Sequence, residues 1–557
     1  MRIEPLEQRN LLAVISGQKF DDADRDGLKD PAELGLSDWT IYLDANENGA
    51  FDVGEPTRLT DADGNYSFDG LPDGTYVVGE VLQAGWEQTY PAQVMPEEIQ
   101  RVSVDAGGTQ GDDDSNGYLR PSLSAGGRYV AFSSAASNLV PGDTNDAVDV
   151  FVYDCQEGIV RRVSVASDGS QAQGDSSWPS ISADGRYVAF QSDAPNLLPG
   201  GQDANDSTDV FLHDLLLGTT ERVSLGDGNE ESDNNSNSPS LSADGRFVAF
   251  HSEASNLVPG DDNQSKDGFV YDRDMGEMRR VGDQALWLSI SADGRFVAFN
   301  SSAANVPEDN NNRADIFLYE MQTGDVERVS VGIDNPNANP NAGSNFGAVS
   351  GDGRYVAFDS GASNLVPGDA NEDWDVFVYD RLTDQTQCVS LTAGGSTAGG
   401  LYPSISADGR FVTFHSIAAD LVPGDANNTM DVFVRDLRTD VTTRLSKASN
   451  GTEGNSFSVY ATISPEGSHV AFFSLASTLV PGDTNERWDA FVAPNPGAWL
   501  PGTHRIFLHS AAVSSDVDFG NRTLPGTIEG EVFFDRDGDG QWDGGEEGLV
   551  GWQVFVD

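Results

Sequence analysis

Ser182-Ala-Asp-Gly-Arg-Tyr-Val-Ala-Phe190 is the stretch that decides the fold. Close variants begin at Ser124, Ser242, Ser291, Ser350, Ser406 and Ser464, making seven units, mostly 56 to 60 residues apart. A fixed period of this kind marks a repeat architecture, in which each unit is one small supersecondary element. Within the unit, Pro179-Ser-Ile-Ser182 leads through Ala-Asp-Gly into Arg186-Tyr-Val-Ala-Phe190. Two apolar runs parted by a glycine turn read as a hairpin, the glycine supplying a positive φ. In the first unit the loop Asn138-Leu-Val-Pro-Gly-Asp143 follows, then Asp149-Val-Phe-Val-Tyr-Asp154 and Arg162-Val-Ser-Val165, giving four strands. Val150 and Val152 face one way, Phe151 and Tyr153 the other. Both faces are apolar, as in a sheet stacked between two neighbours.

Seven such sheets predict an all-β chain with a seven-bladed β-propeller over residues 98–495. The last unit stops at Asp489-Ala-Phe-Val-Ala-Pro494 without a fourth strand, whereas Arg101-Val-Ser-Val104 precedes the first unit and has the fourth-strand pattern. The orphan strand is expected to pair with Trp488 to Val492 and close the ring. These units resemble WD-like propeller repeats of the TolB type. The resemblance implies the fold and little about function, because propellers host unrelated activities.

With 32 Lys+Arg against 90 Asp+Glu, the formal charge is −58. Phosphate backbones and anionic lipid are therefore unfavourable partners, so no nucleic acid is expected and cations are the natural ligands. The 38% hydrophobic content, distributed in strand-like runs, argues for packed cores. No run of 18 apolar residues is present, so no membrane span is expected. The two cysteines, Cys155 and Cys388, fall on blades 1 and 5, which do not touch, and exclude a disulfide framework. Residues 1–13 open Met1-Arg-Ile-Glu-Pro-Leu-Glu-Gln-Arg-Asn-Leu-Leu-Ala13, which resembles the LEPR-type sorting motif of exported bacterial proteins, with Gln8 in place of its proline.

Residues 14–97 contain Trp39-Thr-Ile-Tyr-Leu-Asp44, Gly64-Asn-Tyr-Ser-Phe68 and Gly74-Thr-Tyr-Val-Val-Gly-Glu80. They resemble the Cna-B-like β-sandwich modules, of the SD-repeat B type, of bacterial surface proteins. Residues 500–523 resemble the closing strands of such a module, which predicts that the propeller is inserted within the sandwich. Gly530 to Asp557 repeats residues 17 to 44 at a constant offset of 513, so a second module, residues 526–557, begins and ends at its second strand. The chain reads as a fragment.

Three loops carry D-x-[DN]-x-[DN]-G-x5-E, the oxygen-ligand spacing that calcium requires. The first offers Asp22, Asp24, Asp26, Leu28 through its carbonyl, Asp30 and Glu33. The second offers Asp44, Asn46, Asn48, Ala50 through its carbonyl, Asp52 and Glu55. The third offers Asp535, Asp537, Asp539, Gln541 through its carbonyl, Asp543 and Glu546. Ca2+ is the expected cofactor. Each blade also holds D-x-N-x3-D, from Asp143/Asn145/Asp149 to Asp483/Asn485/Asp489. Three side chains fall short of a calcium shell, so these read as structural Asx turns.

The Cna-B resemblance implies that Lys19, Asn521 and Glu80 occupy plausible positions for a Lys–Asn crosslink, but Val532 stands where Lys19 aligns in the second copy, favouring an exposed lysine. His251 and His415 share one repeat position with Ser133, Gln191, Asn300, Asp359 and Phe473. That variation reads as surface. No H-E-x-x-H, G-x-S-x-G or P-loop is present, so no catalytic residue is assigned. The reading is a calcium-binding secreted or cell-surface protein whose propeller binds an unidentified protein or polysaccharide. The alternatives are a propeller enzyme, lyase or hydrolase, and a periplasmic TolB-like assembly partner.

Overall fold

The structure is a computed structural model that describes residues 13–22, 33–90, 98–498 and 503–523, with breaks of one to four residues inside those ranges. The residues expected to form the sorting motif (1–12), the middle of the first calcium loop (23–32) and the second module with its loop (526–557) lie outside the described residues. Among the described residues the chain is all-β apart from two short 3-10 turns.

Seven four-stranded antiparallel sheets occupy residues 100–494. Blade 2 shows the plan: Ser176–Ile181, Tyr187–Ser192, Asp209–Asp214 and Thr219–Arg222 pair in chain order. Its first hairpin turns at Gly185, with φ 73°, where Ser182 Oγ accepts from the Tyr187 amide at 2.9 Å. A Cβ on Gly185 would lie 2.1 Å from the ring of Tyr129 in the preceding blade. The glycine therefore serves two needs, the left-handed turn and the close approach of neighbouring blades. The same contact closes the circle, because Gly127 of blade 1 lies against the His469 ring of blade 7.

The strand expected to close the ring does pair there. Gln100–Arg101 lies antiparallel to Asp489–Pro494, with Arg101 opposite Phe491 and Gln100 opposite Val492. Val102 extends the contact through its amide to the Ala490 carbonyl at 2.8 Å. Between sheets lie apolar layers: Phe132 and Phe151 of blade 1 share one cluster with Phe473 and Val492 of blade 7. Both faces of every sheet are buried in this way, in seven apolar layers, one between each pair of neighbouring blades.

The remaining strands form two sheets of a sandwich. In one, Ala13–Asp21 pairs with Asn65–Leu71, Val513–Ser514 and Phe519–Thr523, and the last of these with Trp86–Tyr90. In the other, Thr40–Leu43 lies between Thr57–Leu59 and Gly74–Glu80, which pairs in turn with Thr503–Leu508. Ile15, Ile41, Phe68 and Val78 fill the space between them, with Ile506 packed against the cluster. Strands from beyond the propeller thus complete both sheets, and the chain leaves the sandwich after Tyr90 and returns at Thr503. Cys155 and Cys388 are free thiols on separate blades.

Candidate functional site

Three groups of polar residues could carry function: the sandwich loop, the aspartate network of the blades and the propeller axis. In the loop, Asp44 accepts from the Asn48 amide at 3.2 Å and the Gly49 amide at 2.7 Å. Asn46 and Asn48 both donate to Asp52 Oδ2 at 2.8 Å, and Glu55 closes the turn by accepting from the Ala45 and Asp52 amides at 2.9 Å. The backbone takes left-handed conformations at Glu47 and Gly49, folding the five expected ligand side chains onto one turn. An all-oxygen donor set gathered this way fits a hard divalent cation, and Asp44, Asn46, Asn48, Asp52 and Glu55 would hold it. The cluster is felt nearby: burial first, then Asp44 and Glu55, push the Tyr42 hydroxyl up to about 12. Of the first loop, only Asp22, which is buried, and Glu33 lie within the described residues.

The same loop docks on the propeller. Glu47, at a non-ligand position of the loop, accepts from Arg410 at 2.6 Å and Arg438 at 3.1 Å, and its carbonyl accepts from Arg438 at 2.9 Å.

In the blades, the last aspartate of D-x-N-x3-D opens the third strand and is fully buried. Asp149 accepts from Asn145 at 3.1 Å, Ser164 at 2.5 Å and Arg162 at 3.1 Å. Arg162 also pairs with Asp143 at 3.0 Å. In six blades an arginine pairs in this way with the first aspartate of the motif and supplies the positive charge that a metal would bring. Blade 2 brings Asp203, Asp209 and Glu231 within metal-ligand distance of one another, yet Arg222 reaches Asp209 at 3.0 Å and Glu231 at 2.6 Å. Burial and the Asp209 charge nevertheless raise Asp203 to about 6. Blade 5 alone replaces the arginine, with Cys388.

The residues that line the propeller axis belong to none of the motifs singled out in the sequence. In blades 2 to 7 the first strand carries a bulge at the residue before Pro-Ser or its equivalent, and this residue lines the axis. The occupants are Arg120, Trp178, Ser238, Trp287, Phe346, Tyr402 and Tyr460 around the seven blades, and they line one cavity of about 230 Å³. From Trp178 to Tyr460 all six have φ between 49° and 58°. Left-handed backbone costs a bulky L-residue about 1–2 kcal/mol, and strain of this kind concentrates at working sites. The rings form a chain: Trp178 to Trp287 at 5.0 Å, Trp287 to Phe346 at 5.3 Å, Phe346 to Tyr402 at 4.0 Å, Tyr402 to Tyr460 at 5.0 Å. Arg120 reaches across from blade 1, lying 5.7 Å from the Phe346 ring and 5.5 Å from the Tyr402 ring and donating to the Pro403 carbonyl at 2.8 Å.

Behind this layer lies the position expected to be surface, and that expectation is corrected. His251, Asn300, Asp359 and His415 are all buried. They sit on second strands covered on both faces, and in three blades the residue at this position accepts from the amide of the next blade's axial residue. Gln191 accepts from the Ser238 amide at 2.9 Å, Asp359 from Tyr402 at 2.8 Å and His415 from Tyr460 at 3.1 Å. Burial lowers His251 to about 4 and His415 to about 3, so both rings are neutral. Burial raises Asp359 to about 7, against the pull of the Tyr402 amide and Arg120.

Lys19 is also corrected. It is wholly buried, with Nζ 2.8 Å from Glu80 and 4.5 Å from the Trp39 ring centre. Burial lowers it to about 8 despite Glu80. Position 19 faces inward, and the valine that aligns with it in sequence is no sign of an exposed lysine. The backbone of Asn521 pairs with Asp21, two residues from Lys19.

Against known proteins, a model of the SdrD B-like domain matches residues 14–116. Serine-aspartate repeat-containing protein D of Staphylococcus aureus (strain Newman) is 33% identical over 111 residues, covering 19% of this chain and 8% of that protein. The chain therefore spans less than a tenth of the length of the curated relatives it matches. Among solved structures, a putative TolB from Agrobacterium tumefaciens is similar at 16% identity and TM-score 0.35, covering 62% of this chain and 98% of that one. The β-propeller domain of the Trilobed protease from Pyrococcus furiosus is similar at 13% identity and TM-score 0.41, covering 67% and 91%. Neither likeness carries anything about function.

Proposed function

We propose that this chain is a calcium-binding, secreted or cell-surface protein that uses its propeller as a binding platform. The observation that carries the reading is the SdrD B-like sandwich itself, a module of bacterial surface proteins, whose oxygen-rich loop meets the propeller through Glu47, Arg410 and Arg438. Calcium in that loop would fix the turn that presents Glu47, so the metal would brace the module against the ring. The chemistry calcium supplies is charge neutralisation: without a cation, the carboxylates of one turn repel at ligand distance.

The test is calorimetric titration of the full chain with calcium, with melting followed in parallel. Saturable binding is expected, with a higher melting temperature in calcium than in EDTA. Asp22→Ala is expected to lose more affinity than Asp44→Ala, because the first loop offers five carboxylates and the second three plus two amides. Melting unchanged by EDTA would count against the proposal.

The enzyme alternative has one observation in its favour, Asp359, whose raised pKa beside Arg120 is the kind of perturbation that functional sites show. Its Oδ2 is engaged by the Tyr402 amide, and His415 Nδ1 by that of Tyr460, which gives both groups positioning roles.

A further inference from the structure

The axial cavity has a wall and a floor of different chemistry. The wall is the chain of aromatic rings with Arg120. The floor is a set of hydroxyls two residues further along six of the seven first strands, with Ala348 at that place in blade 5. Ser122, Ser180, Ser240, Ser289 and Ser404 each accept the amide of the next blade, at 3.0 to 3.4 Å. An oxygen that accepts in this way keeps its own O–H to donate. Thr462 completes the set with a buried hydroxyl that has no partner among the described residues.

Two further polar atoms at this place are buried and unpartnered among the described residues: Arg120 Nη2 and Oδ1 of Asp359, whose residue is 1% exposed. No ion pair joins them within 4 Å. Leaving a buried donor or acceptor unmade costs about 1–3 kcal/mol, more for charged groups. Such groups, repeated around one cavity beside strained aromatic residues, are explained by a ligand that satisfies them.

The ligand must lay an apolar face on aromatic rings and present closely spaced groups that both donate and accept. A purely apolar ligand would strand the hydroxyl floor. A polyanion meets one guanidinium at the axis and a chain of net charge −58. A peptide offers one or two polar groups per residue, too few for a ring of six hydroxyls. A pyranose offers C–H faces and a hydroxyl on most of its carbons. The cavity, at about 230 Å³, is smaller than the roughly 300–1,000 Å³ sites that enclose drug-sized molecules, and admits one ring.

We propose that the propeller axis is a saccharide site, seating one pyranose unit of a neutral glycan with its C–H face on the Trp287–Phe346 wall, its hydroxyls on the serine floor, and Arg120 donating to one of them. This deepens the reading of the propeller as a binding platform and rests on it. Trp178 and Trp287 make the site visible, because a ligand seated there changes their emission.

The experiment titrates the full calcium-loaded chain with neutral gluco-, galacto- and manno-oligosaccharides, following tryptophan fluorescence and heat. At least one series is expected to bind saturably, and Trp287→Ala and Arg120→Gln each to weaken it by about tenfold or more, as anchors at the centre of a site do. Binding unaltered in both Trp287→Ala and Arg120→Gln would overturn the assignment. A displayed peptide library tested alongside separates the two readings: capture of peptides at the axis with no glycan binding overturns the saccharide and leaves the platform standing, and capture of neither overturns both.

Discussion

Asp149 and Trp178 stand at corresponding kinds of position, one per blade, and follow opposite rules. The buried aspartate at the start of the third strand is present in all seven blades, and in all seven an asparagine four residues earlier donates to it, at 2.8 to 3.5 Å. At the axis the seven blades carry Arg, Trp, Ser, Trp, Phe, Tyr and Tyr. Where every blade has the same mechanical task, the residues agree. Where the blades jointly surround one asymmetric space, they differ. The repeated network is scaffold, and the departures from repetition locate the site. Blade 5 shows that one scaffold part is dispensable, since Cys388 replaces the arginine and its third strand still pairs on both sides.

The comparison breaks most readily at the network. Asp209 accepts from Ser224 at 2.6 Å, Ser232 at 2.7 Å and Arg222 at 3.0 Å, all buried. Asp209→Ala strands these donors and is expected to cost about 3–5 kcal/mol in chemical denaturation, while leaving the axial tryptophan emission of the folded protein unchanged. A loss below about 1 kcal/mol would show that the network is not scaffold.

A smaller effect of opposite sign is expected one layer behind the axis. Asp359 in the folded chain holds its proton up to about pH 7, whereas the unfolded chain releases it near pH 4. The folded state binds the extra proton between those values, so this group's contribution to stability falls as pH rises through that window. Asp359→Asn removes the buried charge and keeps an acceptor for the Tyr402 amide. It is expected to stabilise the protein by about 2–4 kcal/mol at pH 8, the gain shrinking towards zero near pH 4. A gain independent of pH would mean that the carboxyl is not the cause.

Much of this could be read from the chain. The period, the hairpin glycine and the orphan fourth strand led to the sheets and their closure, because two-residue alternation and turn chemistry are local. The return of Thr503–Leu508 to Gly74–Glu80 could be read from resemblance, not from pattern. The axis could not, because its residues differ from blade to blade and their inward aim depends on a bulge and a positive φ that no residue type announces. The signal lay in the position before Pro-Ser, where near-identical units carry five aromatic residues and one arginine. The burial of His251, His415 and Lys19 is illegible for a related reason: variation between repeats occurs at buried positions as well as at exposed ones. The contact of Glu47 with Arg410 and Arg438 joins residues 363 and 391 apart, beyond any local pattern.

The central claim is that axial residues are present for a ligand and not for the fold, and the direct measurement is the stability of an axis-altered protein. Ser238 shows that a small polar residue is accommodated at this position with φ 55°. Asparagine tolerates left-handed backbone better than tryptophan, and relief of that strain offsets the half-buried ring surface that is lost. Equilibrium denaturation of Trp178→Asn and Trp287→Asn is therefore predicted to give stabilities within about 1 kcal/mol of the unaltered chain. A loss as large as that of Asp209→Ala would make the aromatic axis a core like any other and contradict the account.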